Sequence, residues 1–225
     1  MMMRVKAATL TLAALGLMML AGCESQNRPP DSRGKVPAVV LIDLQQSFLS
    51  SGGSSTIAED QVEPLIKAVN SMIETARQQA VPVIYIKDEY SRFRFLGNFA
   101  RDDAALRFEP GSAFDPRVDD VGGVYFTKQC EDGFSNDYFG SHLETISAGQ
   151  LIIAGVHADR SVLATAKTAI KRGYTVTVIS DAIGADTDTD RDAALKQLKD
   201  AGAQVQTSAE FIAGLPSAAQ KASGT

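Results

Sequence analysis

The chain has 225 residues, 44% of them hydrophobic, and a formal net charge of −5. This is material for one ordinary core and length for one domain. The acidic balance argues against a nucleic-acid partner, whose phosphates select basic surfaces.

Residues 1–22 differ from the rest. Arg4 and Lys6 precede the apolar stretch 7–20, the arrangement of a secretory signal. Leu20-Ala21-Gly22-Cys23 resembles a bacterial lipobox, which implies cleavage before Cys23 and lipidation of that cysteine. Several acyl chains on one residue hold a protein to a membrane without a spanning helix. An ordinary signal peptide or an uncleaved anchor is the alternative, although stretch 7–20 is short for crossing a bilayer. Glu24 is not the aspartate associated with inner-membrane retention, so the expected location is the bacterial cell envelope, on the periplasmic side of the outer membrane. Loss of Arg4 and Lys6 takes the charge from −5 to −7. The chain has two cysteines, and lipidation of Cys23 leaves Cys130 with no partner for an internal disulfide.

Residues 23–36 are polar, with Pro29-Pro30 and Gly34, and read as a lipidated tether. Residues 37–42 are a continuous apolar run ending in Asp43, the pattern of a buried parallel strand. Val62, Leu65, Ile66, Val69, Met72, Ile73 and Ala76 mark one helix face, with Pro64 in its first turn. Residues 81–87 form a second strand. The stretch 88–122 is charged and aromatic and too long for a simple connection, a candidate rim or lid. A third strand, 123–126, leads to Lys128. A helix over 138–146, a strand over 151–154 broken by Gly155, and a helix over 158–172 follow. Residues 175–180 alternate Val and Ile with Thr as a fifth strand, 191–201 are helical, and 204–207 are a sixth strand. Strands alternating with helices predict a three-layer α/β/α domain over 37–215, built on a parallel, six-stranded, Rossmann-like sheet, with a tail at 216–225.

Asp43, Lys128 and Ser161 all lie at or just beyond the ends of predicted strands, where a doubly wound sheet builds its site. Singly, an Asp there caps a helix and a Lys is solvated. Their pattern is more specific. Gly155-Val156-x-x-Asp159-x-Ser161-Val162-x-x-Thr165-Ala166 resembles the nucleophile segment of the isochorismatase-like (cysteine hydrolase) superfamily, usually Gly-Val-x-Thr-Asp-x-Cys-Val-x-x-Thr-Ala. Leu41-Ile42-Asp43-Leu44-Gln45-x-x-Phe48 is similar to the motif that supplies the superfamily's aspartate. Lys128 followed by Phe134-Ser135-Asn136 is similar to its lysine and the companion Phe-Ser/Thr-Asn. The resemblance covers 38–211 and implies an Asp-Lys-Cys triad in which Ser161 stands in the place of the cysteine and Ala158 in that of the threonine. It also implies a small-molecule substrate, with Gln45, Phe48, Phe134 and His157 beside it and backbone donors over 157–161 forming an oxyanion hole.

The Cys-to-Ser difference matters chemically. A thiol at about 8.5 is brought near neutrality by a helix terminus and Lys128, whereas a hydroxyl starts near water's value of about 15.7 and needs a base. Asp43, near 3.9 unless desolvated, is a weak one. Neither His157, four residues before Ser161, nor His142, on a predicted helix, is placed to replace it. In the isochorismatase branch of the superfamily the resemblance implies an aspartate that protonates a vinyl ether, with no cysteine nucleophile, and Ala158 and the small Ser161 echo that branch. Cys130 points to the pocket only if the third strand continues past Lys128; otherwise it is an idle thiol. Arg92 or Arg94 could meet a substrate carboxylate. No cofactor is called for. No metal is expected either, since Asp88-Glu89-Tyr90-Ser91 lacks the Asp-x-His with which nicotinamidase relatives bind zinc.

Two expectations result. One is an exported, lipid-anchored hydrolase of a small amide, ester or enol ether, acting through Asp43, Lys128 and Ser161. The other is a catalytically inactive envelope protein that keeps the fold for binding or as a scaffold. Relatives commonly assemble, so a homo-oligomer is compatible with either.

Overall fold

The computed structural model describes residues 36–90 and 105–214. In chain order these form β1 (Val36–Ile42), a one-turn helix α1 (Gln46–Leu49), α2 (Glu59–Gln78), β2 (Val83–Asp88), β3 (Val124–Lys128) and α3 (Asp137–Thr145). Then come β4 (Ala148–Val156), a π-helical turn (Ala158–Val162) running into α4 (Leu163–Lys171), β5 (Thr175–Gly184), α5 (Asp188–Asp200), β6 (Gln204–Gln206) and α6 (Ser208–Gly214).

The six strands are all parallel, in the order β3-β2-β1-β4-β5-β6. β1 is buried on both sides, and its side chains alternate as a strand's must: Val39 and Leu41 enter one core, Ala38, Val40 and Ile42 the other. Helices α2 and α6 cover the first face through residues such as Val69, Met72, Ile73 and Phe211. Helices α3, α4 and α5 cover the second through Phe139, Leu143, Ala166 and Leu198. The winding reverses between β1 and β4, because β2 and β3 are added on one side of that pair and β5 and β6 on the other. A crevice opens at such a switch point, beyond the carboxyl ends of the strands.

Several elements differ from their sequence patterns. Helix α2 starts at Glu59, where Glu59 and Asp60 meet the positive end of its dipole, so Pro64 stands past the first turn. β5 continues beyond Ser180 to Gly184, and α6, too short to show a period, is additional. Of the 88–122 segment, residues 91–104, and with them Arg92 and Arg94, lie outside the described residues, as do 1–35 and Cys23. Among the described residues no helix is long and apolar enough to cross a membrane.

Candidate active site

Gly155 does not break β4; it lets β4 press against β1. A Cβ there would stand 2.0 Å from the Ile42 carbonyl oxygen and 2.7 Å from its nitrogen, and φ is +128°. One residue beyond Ile42, Asp43 adopts φ 55°, a left-handed conformation that Asp tolerates better than most residues. Its N–H donates to Ile86 O at 2.8 Å, and its carbonyl accepts from Gln45 N at 2.8 Å, so the backbone turns sharply at the strand end.

β3 pairs with β2 so that Lys128 stands opposite Asp88. Lys128 is a buried ammonium with three partners: Asp43 Oδ2 at 2.7 Å, Asp88 Oδ1 at 2.6 Å, and Ser161 Oγ, to which it donates at 3.0 Å. These use its three donors. The three sequence-predicted residues therefore meet at one nitrogen, and Asp88, which sequence reasoning treated only as a failed zinc site, joins them. The donor set does not fit a zinc ion, because Asp88 Oδ1 lies on the ammonium and Tyr90 stands two residues further on, where the relatives' motif has histidine.

With both acids ionised this buried cluster carries a net charge of −1. Asp43 responds to that: burial first, then the Asp88 carboxylate, push its pKa up to about 7 against the opposing pull of Lys128. For Lys128, burial alone would favour the neutral amine, but Asp43 and then Asp88 more than offset it and hold the ammonium above the ordinary lysine range. Asp43 Oδ1 is buried with no hydrogen-bond partner. Ser161 lies close enough to favour the ionised carboxylate somewhat, but no hydrogen bond joins it to Oδ1. Its Oγ accepts from Lys128, so its own proton is free to be donated.

Ser161 lies on the π-helical turn, an opening wider than the expected α-helix. The amides of Arg160 and Val162 bond back to the His157 carbonyl at 3.1 and 3.2 Å. Arg160 therefore drops out of the expected oxyanion hole over 157–161. Among the described residues the amides of Ala158 and Asp159 meet no backbone acceptor, as befits the first turn of a helix, and remain as donors.

The expected substrate-binding residues fare differently. Gln45 is fully buried: its Nε2 donates to Asp88 O and to Ser112 O, each at 2.9 Å, and its Oε1 accepts from Asp88 N at 2.8 Å. Both of its amide protons are used within the fold, so it has no donor left for a ligand. Phe134 is a core residue on the α3 and α4 side of the sheet, packed on Phe139 with the Arg172 guanidinium 4.5 Å from its ring centroid. Phe48 is buried on the opposite face, edge-on to the His157 ring at 5.2 Å. His157 Nε2 lies 3.0 Å from Ser55 O and 3.4 Å from Asp186 Oδ1. Burial, then the Arg160 charge, hold it down to about 4, so it is neutral, and its Nε2 is engaged by Ser55 O and Asp186. Finally, β3 stops at Lys128, which removes the premise that aimed Cys130 at the pocket, and the idle-thiol reading is corrected as well, because Cys130 has no free thiol.

An Asp, a Lys and a hydroxyl converging beyond a parallel sheet, at the point where its winding reverses, define the class: an α/β protein of the isochorismatase-like fold. The model of the Isochorismatase domain matches residues 37–210, and the chain belongs to that family. It is 25% identical over 177 residues to an uncharacterized isochorismatase family protein of Bacillus subtilis, covering 78% of this chain and 96% of the relative. It is also 25% identical over 190 residues to a probable inactive nicotinamidase of Arabidopsis thaliana, covering 80% and 96%. Among solved structures, an isochorismatase-like hydrolase from Alkaliphilus metalliredigens shares the fold with a TM-score of 0.74 at 20% identity, over 80% of this chain and 98% of that one.

Proposed function

We propose that this protein is a hydrolase of a small amide or ester in which Ser161 is the nucleophile, Asp43 the general base and Lys128 the fixed positive charge. The observation that carries the reading is the Asp43 carboxyl, buried, with one unpartnered oxygen, and pushed up to about 7. An ordinary Asp at about 3.9 would be too weak a base for a hydroxyl, by on the order of 4 kcal/mol relative to one at about 7. At that value Asp43 matches an unperturbed imidazole, about 6.5, the base that serine hydrolases use.

In this mechanism Asp43 takes the Ser161 proton as Oγ bonds to the substrate carbonyl carbon. The Ala158 and Asp159 amides hold the oxyanion. Collapse of the tetrahedral adduct breaks the bond to the amine or alcohol, which leaves with the proton from Asp43. Water then cleaves the acyl-serine by the same route.

The test is turnover of small amides, esters and enol ethers as a function of pH. For amides and esters, kcat/KM should rise with pH through about 7 as Asp43 loses its proton, and Asp43→Asn and Ser161→Ala should each lower it by roughly 10²-fold or more. An enol ether turned over on a limb that falls above pH 7, with Ser161→Ala unaffected, would make Asp43 a proton donor and overturn the serine mechanism. Absence of turnover in both wild type and Ser161→Cys, with a ligand still bound, would favour the inactive binder. The Lys128 hydrogen bond to Ser161 Oγ, which draws electron density from it, and the similarity to a probable inactive nicotinamidase of Arabidopsis both favour that second reading.

The reading includes export and lipid anchoring at Cys23, supported by the sequence of residues 1–23; it requires that Cys23, the chain's other cysteine, is not what closes off the Cys130 thiol in the mature protein. The intact mass of the membrane-extracted protein should show a chain starting at an acylated Cys23. A soluble chain with Cys23 unmodified or joined to Cys130 would sink it.

A further inference from the structure

We infer that Asp88 is a positioning residue for the proposed reaction: by pairing with Lys128 across the β2–β3 ladder it divides one ammonium between two acids and so keeps Asp43 able to hold a proton. The inference rests on the proposed role of Asp43 as the base. In a simple Asp-Lys pair the ammonium would stabilise the Asp43 carboxylate and make it a poor base. Here Lys128 Nζ is as close to Asp88 Oδ1, at 2.6 Å, as to Asp43 Oδ2, at 2.7 Å.

The position of Asp88 is fixed independently of the ammonium. The Gln45 side-chain amide brackets its peptide, Nε2 on the carbonyl at 2.9 Å and Oε1 on the N–H at 2.8 Å, and the Gln45 backbone itself is tied to Asp43 O. The two acids are thus held by one three-residue span of chain, 43–45. The groups facing Asp43 are Lys128 from β3, Asp88 from β2 and Ser161 from the π-helical turn, and the neighbouring positions of its own segment, Leu44 and Gln45, are uncharged. Tyr90 adds a weaker influence on Lys128. Asp88 is the negative charge that distinguishes this set from a plain ion pair.

Asp88→Asn keeps an acceptor oxygen for Lys128 and removes the charge; Asp88→Glu keeps the charge. The direct readout is the carboxyl ¹³C titration of Asp43 in the intact protein, assigned by its disappearance in Asp43→Asn, and it needs no turnover. The expected result is a midpoint near 7 in the wild type that falls by about one to three units in Asp88→Asn and recovers in Asp88→Glu. Where turnover is measurable, the rising limb of kcat/KM should move to lower pH by the same amount in Asp88→Asn. A midpoint that does not move in Asp88→Asn, or a wild-type midpoint already near 4, overturns the inference. A titration that shifts with Asp88 in a protein that hydrolyses nothing leaves the inference standing and removes the hydrolase reading instead.

Discussion

Gln45 makes three hydrogen bonds with both ends of one buried amide, and it ties β2's end and the 110–112 turn to its own segment, two residues beyond Asp43. Gln45→Leu would keep much of the volume and strand the Asp88 N–H and two carbonyls away from water. Each orphaned buried group costs about 1–3 kcal/mol, although the two carbonyls retain part of their bonding capacity. We expect a loss of about 3 kcal/mol in urea unfolding, and a loss below 1 kcal/mol would mean that the amide is dispensable. At this scale the sequence reveals a residue when its place is local. Asp43, Lys128 and Ser161 each follow an apolar run, and strand ends are where such side chains meet. Asp88 stands at a strand end too, but the apolar pattern of β2 runs out at Lys87, and the only motif that drew attention to Asp88 was a zinc site it does not complete. Gln45 looks like a pocket residue in sequence because its partners lie 43 and 67 positions away. The basicity of Asp43 is equally invisible in sequence, since it depends on burial and on a carboxylate brought in by another strand.

Elements were legible where periodicity is long and blurred where backbone contact decides. The period-two burial of β1 and the helical spacing of α2 are carried by side chains and can be read from their order. Gly155 illustrates the contrary case. A glycine after a short apolar run looks like a stop, yet β4 continues through it, because a side chain at that point would collide with the β1 backbone at Ile42. The register of β4 against β5 shifts between Ile153 and Gly155, with the extra residues on β5, so β4 stays paired through the glycine. The wide turn itself has no signature in sequence, because a π-helical and an α-helical start share the same side-chain periodicity over so few residues. Phe134 shows the same limit: its motif marks it as a companion of Lys128, but only the sheet's two faces reveal that it packs away from the crevice.

For the whole molecule, the site's chemistry and the fold's stability pull in opposite directions with pH, and two buried groups set the balance. Asp43 is raised from about 3.9 in the unfolded chain to about 7 in the fold. The folded state therefore keeps a proton that the unfolded chain has lost, and the associated stability is full below about 4 and disappears as pH rises through 7. His157 is depressed from about 6.5 to about 4. Its stability is full above about 6.5 and disappears as pH falls through 4. Between those values the two slopes, each up to about 1.4 kcal/mol per pH unit, oppose one another. Removing one exposes the other. Asp43→Asn removes the carboxyl that burial makes costly to ionise and leaves Lys128 paired with Asp88, so the variant should be more stable than the wild type at pH 8, by on the order of a few kcal/mol. That advantage should shrink steadily as pH falls and vanish near pH 4, where the wild-type carboxyl is protonated in both states, and the variant's own acid destabilisation should be steeper, because His157 then acts unopposed. Urea unfolding at pH 8, 6 and 4.5 measures both effects. Parallel stability curves for the two proteins would mean that Asp43 ionises no differently in the folded and unfolded chains, and the buried carboxyl could not then be the base proposed for Ser161.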